Sequence, residues 1–457
     1  MNKSLAVINV VALTPSLLGE NTPHLNQLIE KQFMVPMKGI FPAVTCPAQA
    51  SMLTGLLPKD HGIVGNGWYD RDFAEIKHWQ QSNALVQGEK VWESLKKQNK
   101  DFSCSNLFFW YNMYSSVDHS MTPKPHYFSN GRKIPDVSSF PSSLKDDIAA
   151  QIGKFPFMNF WGPESGIKSS EWIAKAAMIE HELNNPNLQL VYLPHLDYNL
   201  QRFGPSNPVI QEDIKAIDAV AGELFGFYEN KGVDVIVVSE YGISDVEKAI
   251  PLNLILRESG YLGIRHSMGR ELLDPGLCKA FAVADHQFAN IYVKDHRDIQ
   301  SVKQLLEKQE GVERVVDQEE QEVMGVNHSR SGELIAIANQ GAWFSYYHFY
   351  ENQNEPDYAR SVSVFDKPGY DPLEMFYDPK KRFAKSRLIW KVLKSKMGFR
   401  TTFDVVPLDT SLVKGSHGRL PENAEEGPIL IAPKRFAKDR FDMLELKHLM
   451  IDFYHKT

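Results

Sequence analysis

The chain has 457 residues, enough for a sizeable core and two or three structural units. Its 43 % hydrophobic and 23 % charged residues exclude a disordered or collagen-like chain. A net charge of −7 means that nucleic acid is not the expected partner. Three cysteines (Cys46, Cys104 and Cys278) are too few for a disulfide framework and fit a reducing, cytoplasmic setting.

Strand and helix signals alternate from the start. Residues 5–12 form a continuous apolar run rich in Val and Ile, which reads as a strand buried on both faces rather than a signal peptide. Thr22-Pro23 then opens a helix, with Thr as N-cap and Pro in the first turn. Residues 91–98 read as helix and 105–110 as strand. Residues 188–193 and 233–238 read as further buried strands, separated by helical spacing from Ile214 to Tyr228. Strands separated by helices predict an α/β fold, a mostly parallel sheet flanked by helices on both faces. Two stretches break the pattern. Residues 111–165, rich in Pro, Ser, Tyr and Phe, read as a cap-like insertion. Residues 262–345 read strand (281–293), helix (299–308), strand (312–316) and strand (333–338), an inserted α+β subdomain. The core is then 1–261 with 346–457. No run approaches the ~18 uncharged apolar residues of a membrane span.

The most informative segment is FPAVTCPAQASMLTGLLPKDHGIVGNGWYD, residues 41–70. Pro47 suits the first position of a helix, and small Ala48, Ala50 and Ser51 suit close packing. Thr45 and Cys46 then stand where free backbone N–H groups and the positive helix end attract an anion. A hydroxyl there can attack phosphorus or hydrogen-bond to a phosphate. Gly55, Gly62, Gly65 and Gly67 allow turns that bring Asn66 back to the same end.

This segment closely resembles the nucleophile region of the nucleotide pyrophosphatase/phosphodiesterase branch of the alkaline phosphatase superfamily. TPHLNQL, YLPHLDYNLQRFGP, SEYGI and KGSHG follow in that family's order, so the resemblance spans nearly the whole chain. It implies an alkaline-phosphatase-like core, Thr45 as a transiently phosphorylated nucleophile, and Asn66 on a phosphate oxygen.

The resemblance also implies two metal ions on six carboxylate and imidazole ligands, and here the sequence departs from the pattern. The Asp-Gly after the first strand is Val11-Ala12. The Asp-x-x-x-His motif keeps Asp197 but has Gln201 for His. Ser-Asp-His-Gly is Ser239-Glu240-Tyr241-Gly242, while the last motif keeps His417. Val11 and Tyr241 predict loss of one ion. Asp197, Gln201 and His417, with Glu240 as a longer ligand, leave at most one conventional divalent site. An amide oxygen there favours Mg²⁺, Mn²⁺ or Ca²⁺ over Zn²⁺. His195 shares a face with Asp197 if the strand continues, and Asp285-His286 lies on an apolar strand; either can substitute for lost ligands. Tyr241 or Glu240 can serve as base or donor, and Asp404 or Asp409 can orient His417.

The expected function is a phosphodiesterase- or nucleotide-pyrophosphatase-like hydrolase acting on a small phosphorylated substrate. The alternative is a weak or inactive pseudoenzyme that binds a phosphorylated ligand or partner. Residues 380–400 hold nine Lys or Arg and no Asp or Glu, with Phe383, Trp390, Leu393 and Met397 on one helical stripe. Such a basic amphipathic helix allows peripheral contact with an anionic membrane.

Overall fold

The computed structural model describes residues 3–455 except 131–132, 352, 364, 382–385, 387–389, 392, 395–396, 398 and 400–403. Seven strands enter first: β1 (Leu5–Val10), β2 (Phe33–Lys38), β3 (Cys104–Leu107), β4 (His119–Pro123), β5 (Val137–Phe140), β6 (Leu188–Leu193) and β7 (Asp234–Val238). A second sheet follows from β8 (Ala280–Asp285), β9 (Phe288–Val293), β10 (Val312–Val316) and β11 (Leu334–Ala338). The chain then returns with β12 (Ile429–Ala432) and β13 (Phe441–Asp442). The nine strands of the main sheet lie in the order β13-β2-β12-β7-β1-β6-β3-β4-β5. Strands β7, β1, β6, β3 and β4 are parallel neighbours, while β12 and β5 run against theirs. Every residue of β1 and β6 is buried, which is why their sequences show no polar alternation.

The helices that matter for the site are α1 (Pro23–Lys31), α2 (Thr45–Thr54), α3 (Val91–Gln98), α4 (Ile167–Asn184), α5 (His195–Phe203) and α6 (Ile210–Lys231). Leu25, Met52, Trp92, Ile173, Leu196 and Ile214 place these six helices in one apolar core with the main strands. Thr22 does not cap α1 with its side chain. Asp218 of α6 does so instead, accepting from the N–H groups of His24 (3.0 Å) and Leu25 (2.9 Å).

Two strand boundaries differ from expectation for local reasons. The run 105–110 ends at Leu107 because Phe108 adopts φ +71. The run 281–293 is two strands, β8 and β9, paired antiparallel with Asp285 opposite Phe288. The reversal carries His286 at φ +62. A hairpin buried on both sides gives the same apolar signal as one long strand. The second sheet runs β8-β9-β11-β10, antiparallel throughout, and has its own core with Val302 and Leu306 of α7 (Ile299–Glu307). Much of the basic run 380–400 lies outside the described residues. Among the described residues no helix is long and apolar enough to cross a membrane.

Candidate active site

Parallel neighbours β7, β1 and β6 end side by side, so the segments that follow them meet at one edge, where open α/β sheets hold ligands. After β1 come Val11 and Ala12, after β6 comes α5 with Asp197 and Gln201, and after β7 come Glu240 and Tyr241. Ala12 keeps φ +59, the left-handed conformation that glycine adopts at less cost. Gly242 has no room for a side chain, since a Cβ would lie 1.8 Å from the Glu426 carbonyl oxygen.

The centre is a chain of hydrogen bonds. Thr45, the first residue of α2, has its Oγ1 3.1 Å from the Tyr241 hydroxyl. That hydroxyl donates to Asp197 Oδ1 at 3.2 Å, and Gln201 Nε2 donates to Asp197 Oδ2 at 2.7 Å. Gln201 Oε1 accepts from the Tyr370 hydroxyl at 3.0 Å. The Tyr241 ring stacks on His417 with centroids 3.7 Å apart and planes 8° apart. His286 lies 3.7 Å from the His417 ring and stacks on Tyr370.

Beside this chain, Glu240 Oε1 accepts from Asn9 Nδ2 at 2.5 Å and Gln49 Nε2 at 2.6 Å. Gln49 Oε1 in turn accepts from the Trp110 N–H at 2.7 Å. Asn9, Gln49 and Tyr370 were not anticipated. Asn9 did carry a signal, a lone amide in an apolar buried strand. Tyr370 carried none, because it arrives from a distant loop.

Several expectations need correction. Pro47 is the third residue of α2 rather than the first. Asn66 reaches the start of α2 as expected, where its Oδ1 accepts from the Cys46 N–H at 3.0 Å and its Nδ2 donates to Asp285 Oδ1 at 3.1 Å. Its amide therefore ties the start of α2 to Asp285, whose Oδ2 also accepts from the Asn66 N–H at 2.7 Å. His195 does not share a strand face with Asp197, because β6 ends at Leu193 and both residues lie on α5. Its Nε2 faces Asp213 Oδ1 at 3.1 Å instead. His417 is oriented by neither Asp404 nor Asp409; its Nδ1 donates to the Ala43 carbonyl at 2.8 Å. Asp409 caps Ser411. Since Nδ1 carries the hydrogen, His417 Nε2 is a bare, buried acceptor without a partner.

Beside these groups lies a half-open pocket with a cavity volume of about 110 Å³. Thr45, Asp197, Tyr241, His286 and His417 form part of its lining, with Trp79, Trp110 and Trp161 among its walls. Lys133 is the one Lys or Arg among the described lining residues.

Residues 5–371 match the model of the type I phosphodiesterase / nucleotide pyrophosphatase family. The chain belongs to that family. It is 26 % identical over 235 residues to an uncharacterized pyrophosphatase/phosphodiesterase of Schizosaccharomyces pombe, covering 49 % of this chain and 41 % of that protein. It is 24 % identical over 241 residues to human bis(5'-adenosyl)-triphosphatase ENPP4, covering 51 % and 45 %. The chain thus spans less than half the length of these curated relatives. In fold it is similar to murine ectonucleotide pyrophosphatase/phosphodiesterase 5 solved as an inactive variant with AMP, at TM-score 0.61, 15 % identity and coverage of 100 % and 96 %. It is also similar to phosphonoacetate hydrolase of Sinorhizobium meliloti with phosphonoformate, at TM-score 0.63, 13 % identity and coverage of 99 % and 96 %.

The side chains of this phosphodiesterase-family member do not fit a two-ion centre. Val11 offers no ligand. Both oxygens of Asp197 already accept hydrogen bonds, and Glu240 Oε1 accepts two. Gln201 turns its N–H side to Asp197, as an ionised Asp197 requires, because the reverse orientation would then set two acceptor oxygens 2.7 Å apart. Asp285 spends both oxygens on Asn66. Among the described residues, no group of three His, Cys, Asp or Glu is arranged to hold a metal ion.

Burial sets the charges. It pushes Glu240 up to about 8, against the hydrogen bonds from Gln49 and Asn9, and pushes Asp197 and Asp285 each up to about 7. It lowers His417 to about 3 and holds His286 well below its usual value. A carboxyl group that titrates higher folded than unfolded holds a proton the unfolded chain has lost. Its contribution to stability therefore falls as pH rises from its ordinary value to its folded one. The buried histidines act in the opposite sense, but both their states are neutral above about pH 7.5. Stability should therefore fall from about pH 7.5 to about 9, as the last of these carboxyl groups ionise. Urea melts across that window should show a shallower fall for Glu240→Gln than for the wild type. Equal slopes would count against a protonated Glu240.

Proposed function

We propose that this family member hydrolyses a phosphate ester of a small ligand, with Thr45 as the nucleophile. The observation that carries this is the position of Thr45, at the start of α2 on the pocket floor, with its hydroxyl joined through Tyr241 to Asp197. Thr45 Oγ1 would bond to phosphorus as the ester P–O bond breaks. Its proton passes to Tyr241 Oη while the Tyr241 proton passes to Asp197 Oδ1, and the leaving oxygen takes a proton from water. Water then attacks phosphorus and the Thr45 Oγ1–P bond breaks; the hydroxide left by the first step takes the proton that this water loses, and Asp197 returns its proton through Tyr241 to Thr45 Oγ1. Structural neighbours solved with AMP and with phosphonoformate support a small phosphorylated ligand here. Three free, buried cysteines support a reducing compartment.

A second reading follows from the hydrogen bonds already made by both Asp197 oxygens and by Glu240 Oε1: the pocket binds a phosphorylated ligand without turning it over. One experiment separates the two. The protein is incubated with bis(4-nitrophenyl) phosphate, quenched in acid and digested. Nitrophenol release with a phosphoryl adduct on the Thr45 peptide supports the hydrolase. Neither product, together with saturable AMP binding, supports the binding protein.

A further inference from the structure

We infer that hydrogen bonds centred on Tyr241 replace the divalent ions of this pocket, so that it binds its ligand without a metal ion. The inference deepens the reading of the pocket as a phosphate-ester site and rests on it for the ligand class. Its test is separable, because metal content is read without turnover.

Three observations converge. The first is occupancy of the space. The Tyr241 hydroxyl lies between Thr45 Oγ1 (3.1 Å) and Asp197 Oδ1 (3.2 Å), and its ring is pinned flat on His417. Its phenol is a donor to the carboxylate, and burial pushes it further from the phenolate a cation would need.

The second is that three of the four oxygens of the remaining carboxylates are engaged, Glu240 Oε2 alone being buried without a partner. Asp197 accepts from Tyr241 and Gln201, and Glu240 accepts from Asn9 and Gln49. Three primary amides thus face the two acids. They supply N–H groups where a metal centre requires lone pairs. An arriving ion would have to break these bonds and turn Gln201 away from Tyr370.

The third is that the surroundings agree. Val11 and Ala12 are buried apolar residues beside the acids, not ligands. His417 Nε2 is the one bare imidazole nitrogen placed toward Asp197, 3.7 Å from its Oδ1. Glu240 Oε2 and Asn9 Oδ1 are also buried without a partner, but among the described residues no three His, Cys, Asp or Glu side chains are arranged to hold an ion.

The test is elemental mass spectrometry of the protein purified without chelator, followed by titration with Zn²⁺, Mn²⁺ and Mg²⁺. Phosphate binding is measured by calorimetry with and without EDTA. The inference expects less than about 0.1 ion per chain and phosphate affinity unchanged within about twofold by EDTA. About one ion per chain, with phosphate binding lost in EDTA, would overturn it. The variant Gln201→His with Tyr241→His supplies imidazoles in place of the amide and phenol. Its affinity for Zn²⁺ should rise at least about tenfold over the wild type. No rise would overturn the claim that these two side chains exclude the ion.

Discussion

Thr45→Ala should lower the rate of aryl phosphodiester cleavage by at least about 10³-fold while leaving AMP affinity within about threefold. The side chain is small and buried at the first position of α2, so its loss removes a hydroxyl rather than a packing element. A thousandfold loss corresponds to about 4 kcal/mol of barrier. That is reasonable for a residue that forms the bond to phosphorus, and too much for one that merely caps a helix, worth about 1 kcal/mol. Steady-state assays separating kcat from KM provide the measurement. Retention of a tenth or more of the wild-type rate would remove Thr45 from the chemistry. A lost rate with retained affinity would place it there.

Lys367→Met should destabilise the fold by about 3–5 kcal/mol. Lys367 is enclosed, with Nζ 2.6 Å from Asp371 Oδ2 and 2.8 Å from Glu374 Oε1, and all three side chains are 1–2 % exposed. Removing the cation leaves two buried carboxyl groups without a counter-charge. The cost is not confined to the loop. Glu374 Oε2 also accepts from Trp161 Nε1 at 2.6 Å, and Tyr370 sits between Lys367 and Asp371 in the chain. Both aromatic residues line the pocket. Protonation of Asp371, already raised by burial, softens the loss and favours the lower part of the range. Urea melts should resolve it, and the triple variant Lys367→Met, Asp371→Asn, Glu374→Gln should recover much of the loss. A change below about 1 kcal/mol in the single variant would show that the cluster holds little of the fold together.

The part of the site visible in the sequence is the part written in consecutive residues. Thr45 at a helix start, Asp197 and Gln201 four apart, and Glu240 with Tyr241 after a strand are all local patterns, and Thr45, Asp197 and Tyr241 line the pocket. The central α/β sheet was legible for the same reason, because buried parallel strands are continuous apolar runs. Periodicity stopped being informative where the chain reversed without a polar turn, as between β8 and β9.

The sequence by itself determined the family, the parallel sheet, the segment that carries Thr45, and the presence of Val11 and Gln201 where the family resemblance expects Asp and His. Only the tertiary structure decided what surrounds them. Asn9, Gln49, Gln201 and Tyr370 come from separate parts of the chain, and their roles depend on which way each amide or hydroxyl points. His195 turned away because β6 gave way to a helix, and Asn66 was claimed by Asp285 across more than two hundred residues. A sequence specifies which donors and acceptors exist. Their pairing in a buried site is set by the whole fold, since a buried donor or acceptor is stabilised only by a partner within a few ångströms.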